Sequence, residues 1–127
     1  MTDQPHGEIT LQTIAMPADA NGNGDIFGGW LMAQMDLGAS VLARRRSQGR
    51  TATVAVDAMQ FLKPVKIGDV VSIHSTLVRE GRTSMHIQVE VWARRLIGDD
   101  HLKVTEASFV FVAIDDDGNS RPLPSTA

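Results

Sequence analysis

Apolar and polar residues alternate along this chain with a period that changes twice. Residues 8–15, EITLQTIA, alternate loosely, with Ile9 and Leu11 on one side, and predict a first strand. Residues 16–29, MPADANGNGDIFGG, are rich in Gly, Asn and Asp and predict a loop. Over residues 29–46 the period becomes helical: Leu31, Met35, Leu42 and the small pair Gly38 and Ala39 space at three, four and seven. Arg44, Arg45 and Arg46 suit a helix C-terminus, and Gly49 is a plausible stop. The small residues at 38–40 let another element approach closely. After residue 50 the period falls to two. Strands are predicted over 51–61, 70–79, 84–95 and 102–114, with turns at 63–69 around Pro64 and Gly68 and at 80–83 around Gly81. Within 51–61, Val54, Val56 and Ala58 are placed on one face and Ala55, Asp57 and Met59 on the other. Within 84–95, Met85, Ile87, Val89, Val91 and Ala93 face one way, and His86, Gln88, Glu90, Trp92 and Arg94 the other.

This order predicts an α+β domain with one long helix and an antiparallel sheet. A helix with apolar residues around much of its circumference needs covering, so a curved sheet wrapping it is expected. Leftover strand edges invite a second copy. Residues 1–7 are assigned to a disordered N-terminal tail, 8–116 to the folded domain and 117–127 to a C-terminal tail.

Composition narrows the chemistry. With 127 residues there is room for one domain and no deep private pocket. Twelve basic and fifteen acidic residues give a net charge of −3, so nucleic acid is not an expected partner. The absence of cysteine excludes a disulfide scaffold, a cysteine nucleophile and a thiolate metal site. The four histidines, at 6, 74, 86 and 101, are too scattered to suggest a metal centre. No apolar run reaches the roughly 18 residues of a membrane span, and the N-terminus lacks a signal-peptide pattern, so a cytoplasmic location is expected.

Four places can carry chemistry. Gly28-Gly29 stands directly before the helix, where unpaired N–H groups and the helix dipole favour negative charge. It is either a nest for an oxyanion or a turn that lets the chain enter the helix. Asp36 lies among apolar helix neighbours. It is either a general base or nucleophile, or a carboxylate facing solvent or an arginine. Asp57 reads as the polar face of a half-exposed strand. Basic residues near the hairpin ends, among them Lys63, Lys66, Arg79, Arg82, Arg94, Arg95 and Lys103, either hold phosphates or are ordinary solvated charge. There is no GxSxG elbow, GxGxxG fingerprint, P-loop or HExxH motif.

The stretch 16–36, MPADANGNGDIFGGWLMAQMD, resembles the signature of the hotdog-fold acyl-CoA thioesterases, P-x-D-x-N-x-x-G-x-x-x-G-G followed by a helical Asp. It is most similar to the bacterial short, broad-specificity acyl-CoA hydrolases. TVAVDAMQFLKPVKIGDVV, GRTSMHIQVEVWARR and VTEASFVFVAIDDDG extend the resemblance over about 8–122. It implies a single hotdog domain, a curved antiparallel sheet of five to six strands wrapped around one long central helix. It also implies a thioester hydrolase with no cofactor and no metal. Asp36 matches the family's catalytic carboxylate and Asn21, rather than Asn23, its partner asparagine. Gly28 and Gly29 match the glycine pair that polarises the carbonyl. The resemblance further implies homodimers with Asn21 of one chain and Asp36 of the other in each site, and hexamers built as trimers of dimers. Ala20 departs from the threonine frequent there.

On this reading Asp36 activates water or attacks to form an anhydride, with the general-base route preferred. A thiolate leaves readily, so no strong acid is needed. The acyl chain is expected near Met32, Met35, Phe61 and Met59. The CoA phosphates are expected near Arg82 and Lys63 first, then Ser84, Arg94 and Arg95. The alternatives are a hotdog hydratase or dehydratase, which normally uses a helix or loop histidine absent here, and a non-catalytic acyl-CoA binding protein.

Overall fold

A computed structural model of the chain describes residues 4–125. Residues 1–3 and 126–127 of the two expected tails lie outside the described residues. The elements are β1 (Glu8–Ile14), α1 (Gly28–Ser47), β2 (Thr51–Phe61), β3 (Val70–Glu80), β4 (Ser84–Arg94) and β5 (His101–Ala113). Each falls within two residues of the bounds that periodicity predicts. The helix ends one residue earlier than Gly49 suggests. Gln48 takes the left-handed position (φ 56°, ψ 40°), and its N–H donates to the Arg44 carbonyl.

The strands form one antiparallel sheet in the order β1-β3-β4-β5-β2. Although β2 and β3 are consecutive in sequence, they lie apart, because β2 crosses to the far side of β5. Paired residues share a face, so the pairs Met85–Phe111, Ile87–Phe109 and Val89–Ala107 set one apolar face. Leu31, Met35, Ala39 and Ala43 of α1 are buried against it at four-residue steps. The helix lies close to the sheet at Gly38. A Cβ there would stand 2.6 Å from Ile73 Cγ2.

The expected wrapping of the helix by the sheet is not what forms. Five strands make an open sheet whose outer members, β1 and β2, are each paired on one side only. It covers a single side of α1, and Met32, Leu37 and Val41 on the other side remain 41, 55 and 46% exposed. Apolar residues around the helix thus signal an uncovered face rather than an enclosing sheet.

β2 departs from simple alternation. Between Thr53 and Phe61 its eight residue steps run beside six of β5, from Phe111 to Thr105, with irregularities between Thr53 and Ala55 and between Asp57 and Gln60. Ala58, inside the second, has φ 53°. The first bulge lets Thr53, opposite Phe111, and Val56, opposite Phe109, both face the helix side although they are three residues apart. Val54, assigned by alternation to the same face as Val56, is instead the extra residue and is exposed.

The sheet face away from the helix carries Glu90, 6% exposed. Its Oε1 accepts from Trp92 Nε1 (2.8 Å) and from the His6 backbone N–H (3.2 Å). His6 Nδ1 and Lys103 Nζ lie 3.3 and 3.7 Å from Oε2. His74 Nδ1 meets the Gly7 carbonyl at 3.2 Å. The segment 4–7 is thereby drawn across the sheet. Burial pushes the Glu90 carboxyl up. The Trp92 and His6 hydrogen bonds and the charges of Lys103 and His6 outweigh it, so its pKa is lowered overall. At the other end of the chain, Leu123 N donates to the Arg82 carbonyl, and the Arg121 guanidinium reaches the carbonyls of Ser47 and Ile114.

Candidate active site

The loop before α1 is held by Asn21. Its Oδ1 accepts from the backbone N–H groups of Asn23 (2.8 Å) and Asp25 (3.2 Å), while its own N–H donates to the Asp25 carbonyl. Asn23, by contrast, is exposed. This folding delivers Gly28 and Gly29 as the first two residues of the helix. The residue before them, Phe27, is extended and provides no side-chain cap, and the first turn holds no acidic residue. Among the described residues neither the Gly28 nor the Gly29 N–H donates to an acceptor. They are the unsatisfied donors of a helix start, positively polarised by the dipole.

The two glycines open onto different spaces. Gly28 lines a cavity of about 290 Å³ with Leu31, Phe61, Lys63 and Pro64. A Cβ on Gly28 would come within 3.2 Å of the Phe61 ring. Gly29 lines a second cavity, about 270 Å³, with Met32, Ala33, Asp36, Thr53, Val56 and Phe109. Nothing lies within 4 Å of a Cβ built there, so its backbone is approachable.

Asp36 is half-buried, and its Oδ1 accepts a hydrogen bond from Thr53 Oγ1 at 2.6 Å. That leaves Oδ2 for a second partner. No arginine pairs with it among the described residues, which disposes of the ion-pair reading. Thr53 is the residue that the sequence did not disclose. Its contact depends on the first β2 bulge and on packing across seventeen positions.

Asn21 lines neither cavity. Gly28 and Asp36 are eight residues apart on one helix, about 12 Å of rise. One chain therefore does not aim the Gly28 N–H and the Asp36 carboxylate at a common carbonyl.

The basic residues fall into two groups. Arg82 and Ser84 stand at the start of β4, and Arg94 and Arg95 at its end, roughly 33 Å away for an eleven-residue strand. Lys63 follows β2 at the same end as Arg94 and Arg95. Lys63, Arg82 and Arg94 are exposed. Arg95 is engaged by Asp69, 1% exposed, whose Oδ2 accepts from Arg95 Nη1 (2.5 Å) and the Lys66 N–H (2.9 Å). Of the acyl-chain candidates, Met32 lines the Asp36 cavity and Phe61 the Gly28 cavity, whereas Met35 is fully buried and Met59 packs on the core. Asp57 is exposed, as read. Among the described residues no three His, Asp or Glu side chains converge as metal ligands, and no helix is long and apolar enough to cross a membrane.

Comparison with known proteins places this arrangement. Residues 23–96 match the family model described as the thioesterase superfamily. The chain is 50% identical to the acyl-CoA thioester hydrolase YciA of Salmonella typhimurium, over 98% of this chain and 96% of that one. Its structure is similar to that of the hexameric thioesterase y2039 of Yersinia pestis, with a TM-score of 0.92, 52% identity and coverage of 96% and 99% of the two chains. It is also similar to Cj0915, a hexameric hotdog-fold thioesterase of Campylobacter jejuni, at TM-score 0.89 and 39% identity over 93% and 91%. With one α1 on one antiparallel sheet and the loop-to-helix signature in place, the chain belongs to the hotdog-fold acyl-CoA thioesterase family.

Proposed function

We propose that this protein hydrolyses acyl-CoA thioesters to a free fatty acid and CoA. The observation that carries the reading is Asp36. It is a carboxylate held by one hydroxyl in a largely apolar cavity that Gly29 of the helix start also lines. Asp36 Oδ2 takes a proton from a water, and the hydroxide equivalent adds to the thioester carbonyl carbon. The N–H groups of Gly28 and Gly29 receive the charge that develops on oxygen. Collapse breaks the carbon–sulfur bond, and the departing thiolate takes up the proton held by Asp36. Asn21 orients the water or carbonyl through its amide Nδ2, since its oxygen is committed to the loop.

The separation of Gly28 and Asn21 from Asp36 within one chain supports a site shared by two copies. Asn21 comes from one and Asp36 with Thr53 from the other. The solved relatives of Yersinia pestis and Campylobacter jejuni are hexameric, which supports a hexamer for this chain, and its proposed construction is a trimer of dimers. The CoA phosphates are assigned to Lys63 and Arg94 at one end of the sheet, with Arg82 and Ser84 supplied by a neighbouring copy. Arg95 contributes only what its pairing with Asp69 leaves free.

The test is release of free thiol from a panel of acyl-CoAs. D36A and N21A should each lower kcat by at least about a hundredfold while sedimentation shows the oligomer intact. A protein that releases no CoA from any member is not a hydrolase. Gain or loss of water across an enoyl thioester would instead mark a hydratase or dehydratase.

A further inference from the structure

The oxygen of the Asn21 amide is held by two backbone donors, and one of them, the Asp25 N–H, is itself tethered. The segment 19–27 folds back on itself. Ala20 bridges Ile26, the Asn21 N–H donates to the Asp25 carbonyl at 2.7 Å, and the Phe27 N–H donates to the Asp19 carbonyl at 3.1 Å. Its returning limb lies along the turn between β2 and β3. There the Ile26 N–H donates to the Val65 carbonyl at 2.9 Å, Asp25 bridges Lys66, and Lys66 Nζ donates to Asp25 Oδ1. The buried Asp69 pins that turn, since its Oδ2 accepts from both the Lys66 N–H and the Arg95 guanidinium. Polar contacts therefore run without a break from Arg95, just past the end of β4, through Asp69, Lys66 and Asp25 to Asn21. The Lys66 and Asp25 side chains are 50 and 36% exposed, so their ion pair adds little to folding stability. Its effect is on direction. It holds the residue whose N–H fixes the plane of the Asn21 amide, and a misplacement of about 1 Å can cost about a hundredfold in rate.

We propose that Lys66 and Asp25 are positioning residues for Asn21. Their ion pair fixes the Asp25 peptide, which orients the Asn21 amide and so aims its Nδ2 at the reacting water or carbonyl. The inference rests on the reading of Asn21 as a member of the site. It separates Lys66 from the other basic residues of this end of the sheet, because its ammonium serves the rate of the chemical step rather than the holding of CoA. Lys66, Asp25 and Asn21 belong to one chain, so the loop meets the Asp36 of a neighbouring copy with its amide already set.

The experiment is steady-state kinetics on one acyl-CoA for the wild type, K66M, D25A and the double variant, with D25N in place of D25A if the latter fails to fold. Each single variant should lower kcat by about five- to twentyfold and leave KM within about twofold. The double variant should be no slower than either single one, because the pair is broken only once. Lys66→Arg keeps the charge and should recover most of kcat. In an N21A background K66M should cost nothing further, whereas a lysine that only stabilised the fold would cost as much again. A raised KM at constant kcat would make Lys66 a ligand of CoA and overturns the inference. An unchanged kcat in K66M, or losses that multiply in the double variant, overturns it as well and leaves hydrolysis standing. Full activity in N21A overturns the reading of Asn21 itself, and a wild type that releases no CoA overturns the hydrolase reading.

Discussion

The Asp36 carboxylate meets one hydroxyl, that of Thr53, and a hydrogen bond to a charged group contributes about 1.5–3 kcal/mol. Thr53→Val keeps the shape and removes the donor. It should lower kcat by about 10- to 100-fold with little change in KM, and Thr53→Ser should restore most of the loss. Steady-state kinetics on one acyl-CoA decides it, and a change confined to KM would mean that Thr53 only packs. Thr105 presents the opposite case. Its hydroxyl is buried with no partner among the described residues. Thr105→Val should therefore raise stability by about 1–2 kcal/mol in urea unfolding, and a loss would reveal an acceptor. At this scale the sequence was partly legible. Asp36, Asn21 and the two glycines stand out because a loop signature and a charge among apolar neighbours are local features. Thr53 was not legible, since its role comes from a bulge that no glycine marks. The separation of Arg82 and Ser84 from Arg94 and Arg95 was not legible either, since hairpin ends look alike until strands are paired.

Among the elements, the strap formed by residues 4–7 has a pH dependence whose sign can be worked out. The folded-state pKa of Glu90 is lowered, so its stabilisation is present in full above the ordinary carboxylate value. It is lost as pH falls through the lowered value. His6 and His74 hold the strap from its own side and from β3, and Lys103, paired also with Glu106, from β5. Acidification below about pH 4.5 should loosen the strap and change the fluorescence of Trp92, which donates to Glu90. Glu90→Gln should abolish that transition, and a transition unchanged in this variant would assign it to another group. Sequence reading places 1–7 in a disordered tail, because nothing local hints at a partner 84 positions away. Strand bounds were legible from alternation. The crossing of β2 to β5 was not, because short turns suggest that consecutive strands are neighbours.

For the whole molecule, the open sheet and the uncovered side of α1 leave a single chain with exposed apolar surface on the helix that carries Asp36. If each site draws Asn21 from one chain and Asp36 from another, two inactive variants should repair each other. In a mixed dimer of D36A and N21A one site is wholly wild type and the other lacks both groups. Co-expression at equal levels should give about a quarter of wild-type activity, since about half of the dimers are mixed. Activity no higher than that of the separate variants would place both residues in the same chain.

The paired irregularities of β2 carry a consequence for how this strand can change. Each adds one residue, so the first inverts which side chains face the helix and the second inverts them back. A bulge's extra residue faces no partner of its own, so removing it leaves its neighbours where they stand. Deleting Val54 should leave Ala55 opposite Val110 and Val56 opposite Phe109, and deleting Ala58 should leave Gln60 opposite Glu106. Each deletion, alone or with the other, should give a folded protein by circular dichroism, and an unfolded product would show that the bulge itself is required. The two extra residues are thus places where the strand can shorten, singly or together, without any other residue changing sides.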